Sequence, residues 1–437
     1  MLSYYIQDIL TGKSVSQYYK LYTATQWYQE DAMEALRVSK LRKLVEHCYL
    51  HVLYYKKHML SIGMVPSDIK RISDVDNFPI LTKEIIRSNY QEFIPDNLKY
   101  IKGVKSGYTG GTTGLPLLKR TDANTRSSTW ALYARFLNWM DIADSDFKLS
   151  LIEGFGQKKG STRSKLRTLL IDRLSHTASI NTYDDYSVNK ERIENILKAK
   201  NVSYIRSYTQ FLYNLARDYK NEGKRFTVRA ITTTAEPLLA HQREVFREVF
   251  SCETFDQYGC GEIGGLAFEC DNHKGLHISE ERAIVATDSD GKIIITDLDN
   301  YAMPYIRYMN DDEIELASEP CSCGRKSQLI KAMKGRVVDY LYGIEGQKLH
   351  SSYIWTIVFS TGIAPKVNLQ KFQVHQVAQD RILFKHVSDV MDQKDKDVIT
   401  HLLQEKLGNI TIEFIREEYI ENSASGKYRP IINDILR

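Results

Sequence analysis

The sequence lacks most of the features that mark the special classes of protein. No stretch approaches the ~20 consecutive apolar residues that a membrane-spanning helix needs. Met1-Leu2-Ser3-Tyr4-Tyr5 has no basic segment leading into an apolar one. Both absences argue against an integral membrane segment and predict a soluble, cytoplasmic protein. Cysteine is scarce: six in 437 residues do not make a secreted disulfide framework, and the Cys321-x-Cys323 pair points to thiols or a metal instead. Charge of one sign is lacking too. The 59 Lys and Arg against 55 Asp and Glu leave +4, spread along the whole length, so composition supplies no nucleic-acid surface. There is no internal repeat, low-complexity tract or long Pro/Ser linker to mark a boundary.

What is present most conspicuously is the loop Tyr108-Thr109-Gly110-Gly111-Thr112-Thr113-Gly114-Leu115-Pro116, where three glycines and three threonines stand together. Glycines let backbone N–H groups converge without Cβ obstruction, and threonine hydroxyls add donors, so the loop reads as a phosphate cradle. It carries neither the Gly-Lys-Ser/Thr of a Walker loop nor the spacing of a dinucleotide fingerprint, which takes weight from those two folds. Its flanks, Tyr100 to Lys105 and Leu117 to Thr121, read as strands, and Asp122 as the cap of a helix running through Met140.

The length exceeds one ordinary domain, and 43% apolar residues can build a sizeable core. Residues 15 to 60 carry helical apolar spacing, broken by Gly63 and Pro66. From Lys148 short apolar runs alternate with amphipathic helices: Leu149 to Ile152, Ala178 to Asn181, Val202 to Arg206, the helix Gln210 to Tyr219, and Val228 to Thr232. This alternation predicts an α/β sheet packed by helices. Ala283 to Ala286 and Lys292 to Thr296, joined through Asp290-Gly291, read as a hairpin. After Gly335 the pattern restarts as a small α+β unit: strands near Phe372 to Gln376 and Ile382 to Lys385, a helix from about Asp395 to Leu407, and a strand at Ile410 to Phe414.

The glycine-rich loop resembles the phosphate-binding loop of the adenylate-forming ligases, and further motifs follow in that superfamily's order. Asp256-Gln257-Tyr258-Gly259-Cys260-Gly261-Glu262 is similar to its Tyr-Gly-x-Thr-Glu segment. Thr296-Asp297-Leu298, with Pro304-Tyr305-Ile306-Arg307-Tyr308 and Asp312, resembles its ribose-binding segment. Gly335-Arg336-Val337-Val338-Asp339 resembles the hinge before a small C-terminal domain, and Ser425-Gly426-Lys427 the catalytic-lysine motif. Thr234-Ala235-Glu236-Pro237-Leu238, Phe78-Pro79-Ile80-Leu81-Thr82-Lys83 and Cys321-Ser322-Cys323-Gly324-Arg325 narrow the resemblance to the phenylacetate-CoA ligase-like branch, especially its members associated with capsular polysaccharide biosynthesis.

The resemblance implies an α/β fold with two parts. One is a large ATP- and carboxylate-binding domain over 1–334, with a helical cap over about 1–75. The other is a small mobile α+β domain over 335–437 carrying the catalytic lysine. It also implies ATP-dependent activation of a small carboxylic acid to an acyl-adenylate with release of pyrophosphate. Lys427 would then reach the α-phosphate and the substrate carboxylate, and Glu262 would hold Mg²⁺. Thr109, Gly110, Gly111, Thr112, Thr113 and Gly114 would embrace the pyrophosphate end. Ala235, Glu236, Pro237, Gln257, Tyr258 and Gly259 would line the adenine side, Asp312 would accept from the ribose hydroxyls, and Arg336 would add a ribose or phosphate contact. The acid pocket would draw on Glu153 to Gly156, Tyr208 to Phe211 and Cys260 to Leu266. Gly261 departs from the pattern, standing where relatives carry a hydroxyl, and Val338 stands where many keep a polar hinge residue.

Cys270, Cys321 and Cys323 with one histidine complete a four-ligand structural zinc set. The resemblance favours His277, with His273 as the alternative. Cys260 lacks a base within its motif, and Cys48 and Cys252 read as packing residues. The acceptor of the acyl group is left as either a thiol, coenzyme A, or an amine on a sugar precursor. The competing reading from a different class is a zinc-stabilised nucleotide-binding scaffold without chemistry in a polysaccharide assembly system.

Overall fold

The computed structural model describes residues 14–108, 117–153, 172–182, 185–235, 240–333, 340–350, 361–369, 371–420 and 431–435, together with Asp8, Leu238 and the pairs 353–354 and 357–358. The chain divides into two compact units. One comprises 1–107, 119–154 and 159–336; the other comprises 108–118, 155–158 and 337–437.

In the first unit three helices lead, α1 (Val15–Thr25), α2 (Glu30–His51) and α3 (Leu53–Ser61), followed by the short α4 (Lys83–Ser88). A two-stranded ribbon joins β1 (Lys105–Tyr108) to β2 (Leu118–Thr121). The strand expected over Tyr100 to Lys105 is displaced. Leu98–Tyr100 forms a 3₁₀ turn, and Gly103, at φ +66°, turns the backbone so that Lys102 O accepts from Ala123 N at 3.0 Å before β1 begins. Helix α5 (Ala123–Trp139) starts where expected, because Asp122 caps it by accepting from Thr125 N at 2.8 Å.

A five-stranded parallel sheet follows, in the order β4-β3-β5-β6-β7. Its strands are β3 (Phe147–Glu153), β4 (Thr177–Asn181), β5 (Val202–Tyr208), β6 (Ala230–Thr234) and β7 (Glu253–Phe255); the crossovers run through α6 (Tyr186–Ala199), α7 (Thr209–Asn221) and α8 (Ala240–Phe250). Both faces of this sheet are covered, which is why its strands read as near-continuous apolar runs. Leu149, Ile205 and Ile231 pack with Leu212, Leu215, Phe246 and Phe250 on one face. Tyr204, Ala230 and Phe255 pack with Ala131, Leu132 and Phe136 of α5 on the other.

A seven-stranded antiparallel sheet completes the unit, in the order β11-β12-β13-β14-β10-β9-β8. These strands are β8 (Gln257–Tyr258), β9 (Ala267–Glu269), β10 (Leu276–Ile278), β11 (Ala283–Thr287), β12 (Lys292–Asp297), β13 (Tyr308–Leu316) and β14 (Leu329–Met333). The expected hairpin is the β11–β12 pair, turned with Gly291 at φ +81°. A buried polar network ties α5 to this sheet. Arg282, fully buried, donates to Thr125 O, Ser128 Oγ and Thr129 Oγ1 and faces Asp297, while Arg135 pairs with Glu281.

The second unit holds the hairpin of β15 (Tyr340–Tyr342) and β16 (Lys348–His350), the short α9 (Ile363–Lys366), and a four-stranded sheet in the order β19-β18-β17-β20. Strands β17 (Lys371–Ala378) and β18 (Arg381–Val387) are antiparallel. Helix α10 (Gln393–Leu407), capped by Asp392, carries the chain to β19 (Thr411–Arg416), parallel to β18; β20 (Ile431–Asn433) runs parallel to β17. Phe372 and Phe384 stack at 5.6 Å, and Ile399, Leu403 and Leu407 are buried.

Candidate active site

The loop between β8 and β9 must turn sharply, since a Cβ on Gly259 would lie 2.8 Å from Gly265 N. Only glycine fits that approach. Cys260 N donates to Ile263 O at 3.0 Å to close the turn, and the carboxylate of Glu262 is held inside with the residue 4% exposed. Gly259, Gly261 and Gly264 happen to spell a dinucleotide fingerprint, but the segment leads into a strand and opens no helix, so that chemistry is excluded.

Lysine 83 reaches this carboxylate from far off in sequence. Leu81 bridges to Tyr308, exchanging backbone bonds with Arg307 and Met309 at 2.9 and 2.8 Å, and Thr82 caps α4 by accepting from Ile85 N. Lys83 therefore starts α4 with Nζ 3.5 Å from Glu262 Oε1. Lys119 of β2 donates to Gly261 O on the same loop, and burial, which outweighs the attraction of Glu262, lowers its pKa. Tyr308 lies alongside, its phenol raised by burial and by the Glu262 charge. Neither Glu262 Oε1 nor Tyr308 Oη, both shut off from solvent, has a hydrogen-bond partner among the described residues. A buried carboxylate oxygen with a free lone pair is the hard ligand that Mg²⁺ takes.

Beside this loop Tyr258 donates to Asp312 Oδ2 at 2.8 Å, and Asn310, two residues along β13 on the same face, donates to the same oxygen at 2.7 Å. Tyr258 is raised well above the usual phenol range by burial and by Asp312. Gln257 is buried, and its Nε2 has no partner among the described residues. Ala235 ends β6 at φ +70°, a left-handed conformation that costs any residue with a Cβ. Thr109 to Gly114, Glu236, Pro237, Arg336 and Lys427 lie outside the described residues, as do Gly154 to Gly156 of the expected acid pocket.

The cysteine cluster is a separate construction. Cys270, His277, Cys321 and Cys323 bring one ligand atom each to within 4.8 Å of one another. Cys270 Sγ and Cys321 Sγ are 3.7 Å apart, and Cys323 Sγ and His277 Nε2 are 3.3 Å apart. A tetrahedral zinc with Zn–S of about 2.3 Å has sulfur–sulfur edges of about 3.8 Å, so the donor set fits the ion. The other ring nitrogen of His277 bonds Ser327 Oγ at 3.0 Å, which orients the ring. His277 is held down to about 4 by burial and by the nearby Arg325 and Arg135, keeping the imidazole neutral. His273 is elsewhere, against Glu269 at 3.2 Å and the Phe255 ring. The cluster also leans on the end of α5 and on the turn between α1 and α2: Trp139 meets His277 edge-on at 5.8 Å, and Arg325 stacks over Trp139 and Trp27.

The other thiols have surroundings suited to packing. Cys260 is pushed up to about 12 by burial and the Glu262 charge, and Cys48 and Cys252 are buried. Sequence reasoning gave Lys83 no role and passed over Lys119. The Leu81–Tyr308 bridge that aims Lys83 is a long-range pairing with no local signal, although a lysine opening a helix against its dipole is a mark that could have drawn attention.

Among curated proteins, the phenylacetate-coenzyme A ligase of Escherichia coli (strain K12) is 24% identical over 297 residues, 64% of this chain and 67% of its own length. That of Thermus thermophilus is 22% identical over 350 residues, 76% of each chain. Among solved structures, 2-hydroxyisobutyryl-CoA ligase in complex with 2-HIB-AMP and CoA in the thioesterification state is similar with a TM-score of 0.62 at 15% identity, covering 93% of this chain and 91% of that one. The same ligase in the postadenylation state gives 0.59. No protein-family model matches the chain. A buried acid between two lysines, a Tyr–Asn–Asp cluster beside it and this two-sheet frame are thus found in a chain that is similar in sequence to the phenylacetate-coenzyme A ligases and shares the mixed α/β fold of 2-hydroxyisobutyryl-CoA ligase.

Proposed function

We propose that this protein activates a carboxylic acid with ATP and passes the acyl group to coenzyme A. The observation that carries the reading is Glu262: a buried carboxylate whose Oε1 has no hydrogen-bond partner among the described residues and faces Lys83 at 3.5 Å. A solvated loop acid would have no reason to be there. In the first step a carboxylate oxygen of the acid attacks the α-phosphorus of ATP. The new O–P bond forms as the bond to pyrophosphate breaks, leaving an acyl-adenylate. In the second, the thiol of coenzyme A attacks the acyl carbonyl, loses its proton and expels AMP.

Glu262 would hold Mg²⁺, which neutralises charge on the phosphates. Lys83 and Lys119 balance the carboxylate and hold its loop. Gln257 and Tyr258 offer polar edges to the base, and Asp312, positioned by Tyr258 and Asn310, accepts from the ribose hydroxyls. Lys427 and the Thr109–Gly114 loop act on the phosphates as the resemblance implies. The division at residue 335, with a mobile domain carrying Lys427, belongs to the same reading. Cys270, His277, Cys321 and Cys323 would hold a structural zinc, closing all four positions and leaving none for catalysis.

The finer reading, an amine on a sugar precursor as acceptor in cell-surface polysaccharide synthesis, rests on the sequence resemblance and on Val338, which stands where many relatives keep a polar hinge residue. Carboxylate-dependent pyrophosphate release from Mg·ATP tests the first step, with Glu262→Gln and Lys427→Ala as controls. Release tied to one class of acid, falling at least about a hundredfold in both variants, is expected. Addition of coenzyme A or of an amino sugar should then accelerate turnover with only one of them. A folded protein that binds ATP and releases nothing would leave the scaffold reading standing.

A further inference from the structure

Arg206 is a half-buried charge with no carboxylate partner among the described residues. It lies near the C-terminal end of β5, level with Ser150 of β3 and Thr232 of β6. Alternation along β5 turns Ile205 into the core beneath α7 and α8, and sends Tyr204 and Arg206 to the α5 face. On that face the guanidinium carbon sits 4.1 Å from the Tyr133 ring centroid. Its Nε is shut off from solvent without a hydrogen-bond partner, and no acidic side chain among the described residues pairs with it. Shutting one N–H of a guanidinium off from water without an acceptor is unfavourable, and a ring face answers only part of that need while leaving the other N–H groups free.

The surroundings place this cation beside the candidate active site. A Cβ built on Gly265 would come within 3.5 Å of Tyr133 Cζ, so the ring that carries Arg206 touches the loop that carries Glu262. A side chain at Gly264 would meet only Thr129, at 3.5 Å, so the missing side chain leaves room on the loop's inner side. Space outside the carboxyl ends of parallel strands is where α/β sheets bind ligands.

We infer that the acid this protein takes carries a second anionic group, remote from the carboxylate to be activated, and that Arg206 holds it. The inference rests on the adenylation reading for which end of the acid reacts, but not for binding itself. The planar fork of the guanidinium, stacked on Tyr133, presents its N–H groups in the plane where a carboxylate accepts two bonds. The substrate class is thus a dicarboxylic or comparably dianionic acid, in place of the neutral-tailed acids an apolar pocket would select.

The test is calorimetric titration of the full-length protein, saturated with Mg·ATP where turnover is absent and with Mg·AMP otherwise, using matched pairs: 4-carboxyphenylacetate against phenylacetate, and adipate against hexanoate. Wild type should bind at least one diacid roughly ten- to a hundredfold tighter than its partner. Arg206→Gln should erase that preference while binding the monoacid as wild type does, and Arg206→Lys should restore part of it. Equal affinities within both pairs, or an Arg206→Gln protein that is folded by circular dichroism and loses both members of a pair together, would overturn the inference. Pyrophosphate release measured on the same samples reports separately on adenylation. Diacid preference without release would retire the reaction and keep the anion site; release with monoacids alone would do the reverse.

Discussion

Lys83 opens α4 at the end where the helix dipole opposes a cation, and its ammonium is kept there by the buried Glu262 carboxylate. Removing it leaves Glu262 enclosed with, among the described residues, only Lys119 to balance it. Lys83→Met should therefore cost about 2–4 kcal/mol of stability in the ligand-free protein. Saturating Mg·ATP should restore part of it, because the metal supplies the missing positive charge; thermal unfolding with and without Mg·ATP measures both numbers. An equal loss under the two conditions would detach Lys83 from the nucleotide site. At this scale Glu262 was singled out in the sequence by the resemblance of its segment to a Tyr-Gly-x-Thr-Glu motif, and the close approach that requires glycine is at Gly259. Its cationic partners were not, because Lys83 and Lys119 reach it through folds of the chain that leave no trace in local spacing. The strain at Ala235 was equally hidden: the segment could be picked out, but nothing in an alanine announces φ +70°.

At the scale of elements, the Asp122 cap and the Asp290-Gly291 turn were read from the sequence and are found as such. Asp185 and Asp392 cap their helices in the same way, accepting from the N–H three residues on, but were not picked out. Where reading went astray, at Tyr100 to Lys105, apolar and aromatic residues suggested a strand and Gly103 made a turn. The cysteine cluster joins the stretch between β9 and β10 to the one between β13 and β14, and stacks through Trp139 and Arg325 onto α5. One zinc per chain by elemental analysis is the expected content. Cys323→Ser, or prolonged chelation, should remove it and lower the melting temperature by about 5 °C or more, while His273→Ala keeps the metal. Retention of full zinc in the Cys323→Ser protein would refute the four-ligand assignment.

At the scale of the molecule, each unit has its own sheet and its own buried residues, so calorimetry should resolve two transitions. The first should rise with Mg·ATP. The second should respond to acid through His386, which is buried on β18 against Ser388 Oγ at 2.7 Å. Burial, with Lys396 and Arg416 nearby, lowers its pKa below that of a free imidazole. The folded unit thus binds that proton less readily than the unfolded chain. The stability His386 confers is intact above pH 6.5 and lost as pH falls below it. Lowering the pH from 7 to 5 should move the second transition down, and His386→Gln should flatten that slope; an unchanged slope would assign the acid response elsewhere. The mixed α/β character was visible in the alternation of short apolar runs with amphipathic helices from Lys148, whereas the assignment of 108–118 and 155–158 to the second compact unit was not. The placing of β10 between β9 and β14 was not, since pairing across that span is decided by tertiary packing.

That placing gives synthesis a timetable. His277 pairs with Leu329 on one side and Phe268 on the other, and the first cysteine of the cluster precedes the second by 51 residues. At ribosomal speeds the gap amounts to roughly 3–10 s. For that interval β10 leaves the ribosome with one edge bare and Cys270 waiting as a lone thiol. A nascent chain stalled just before residue 320 should bind chaperones and react with thiol reagents, and one stalled some forty residues later should do neither.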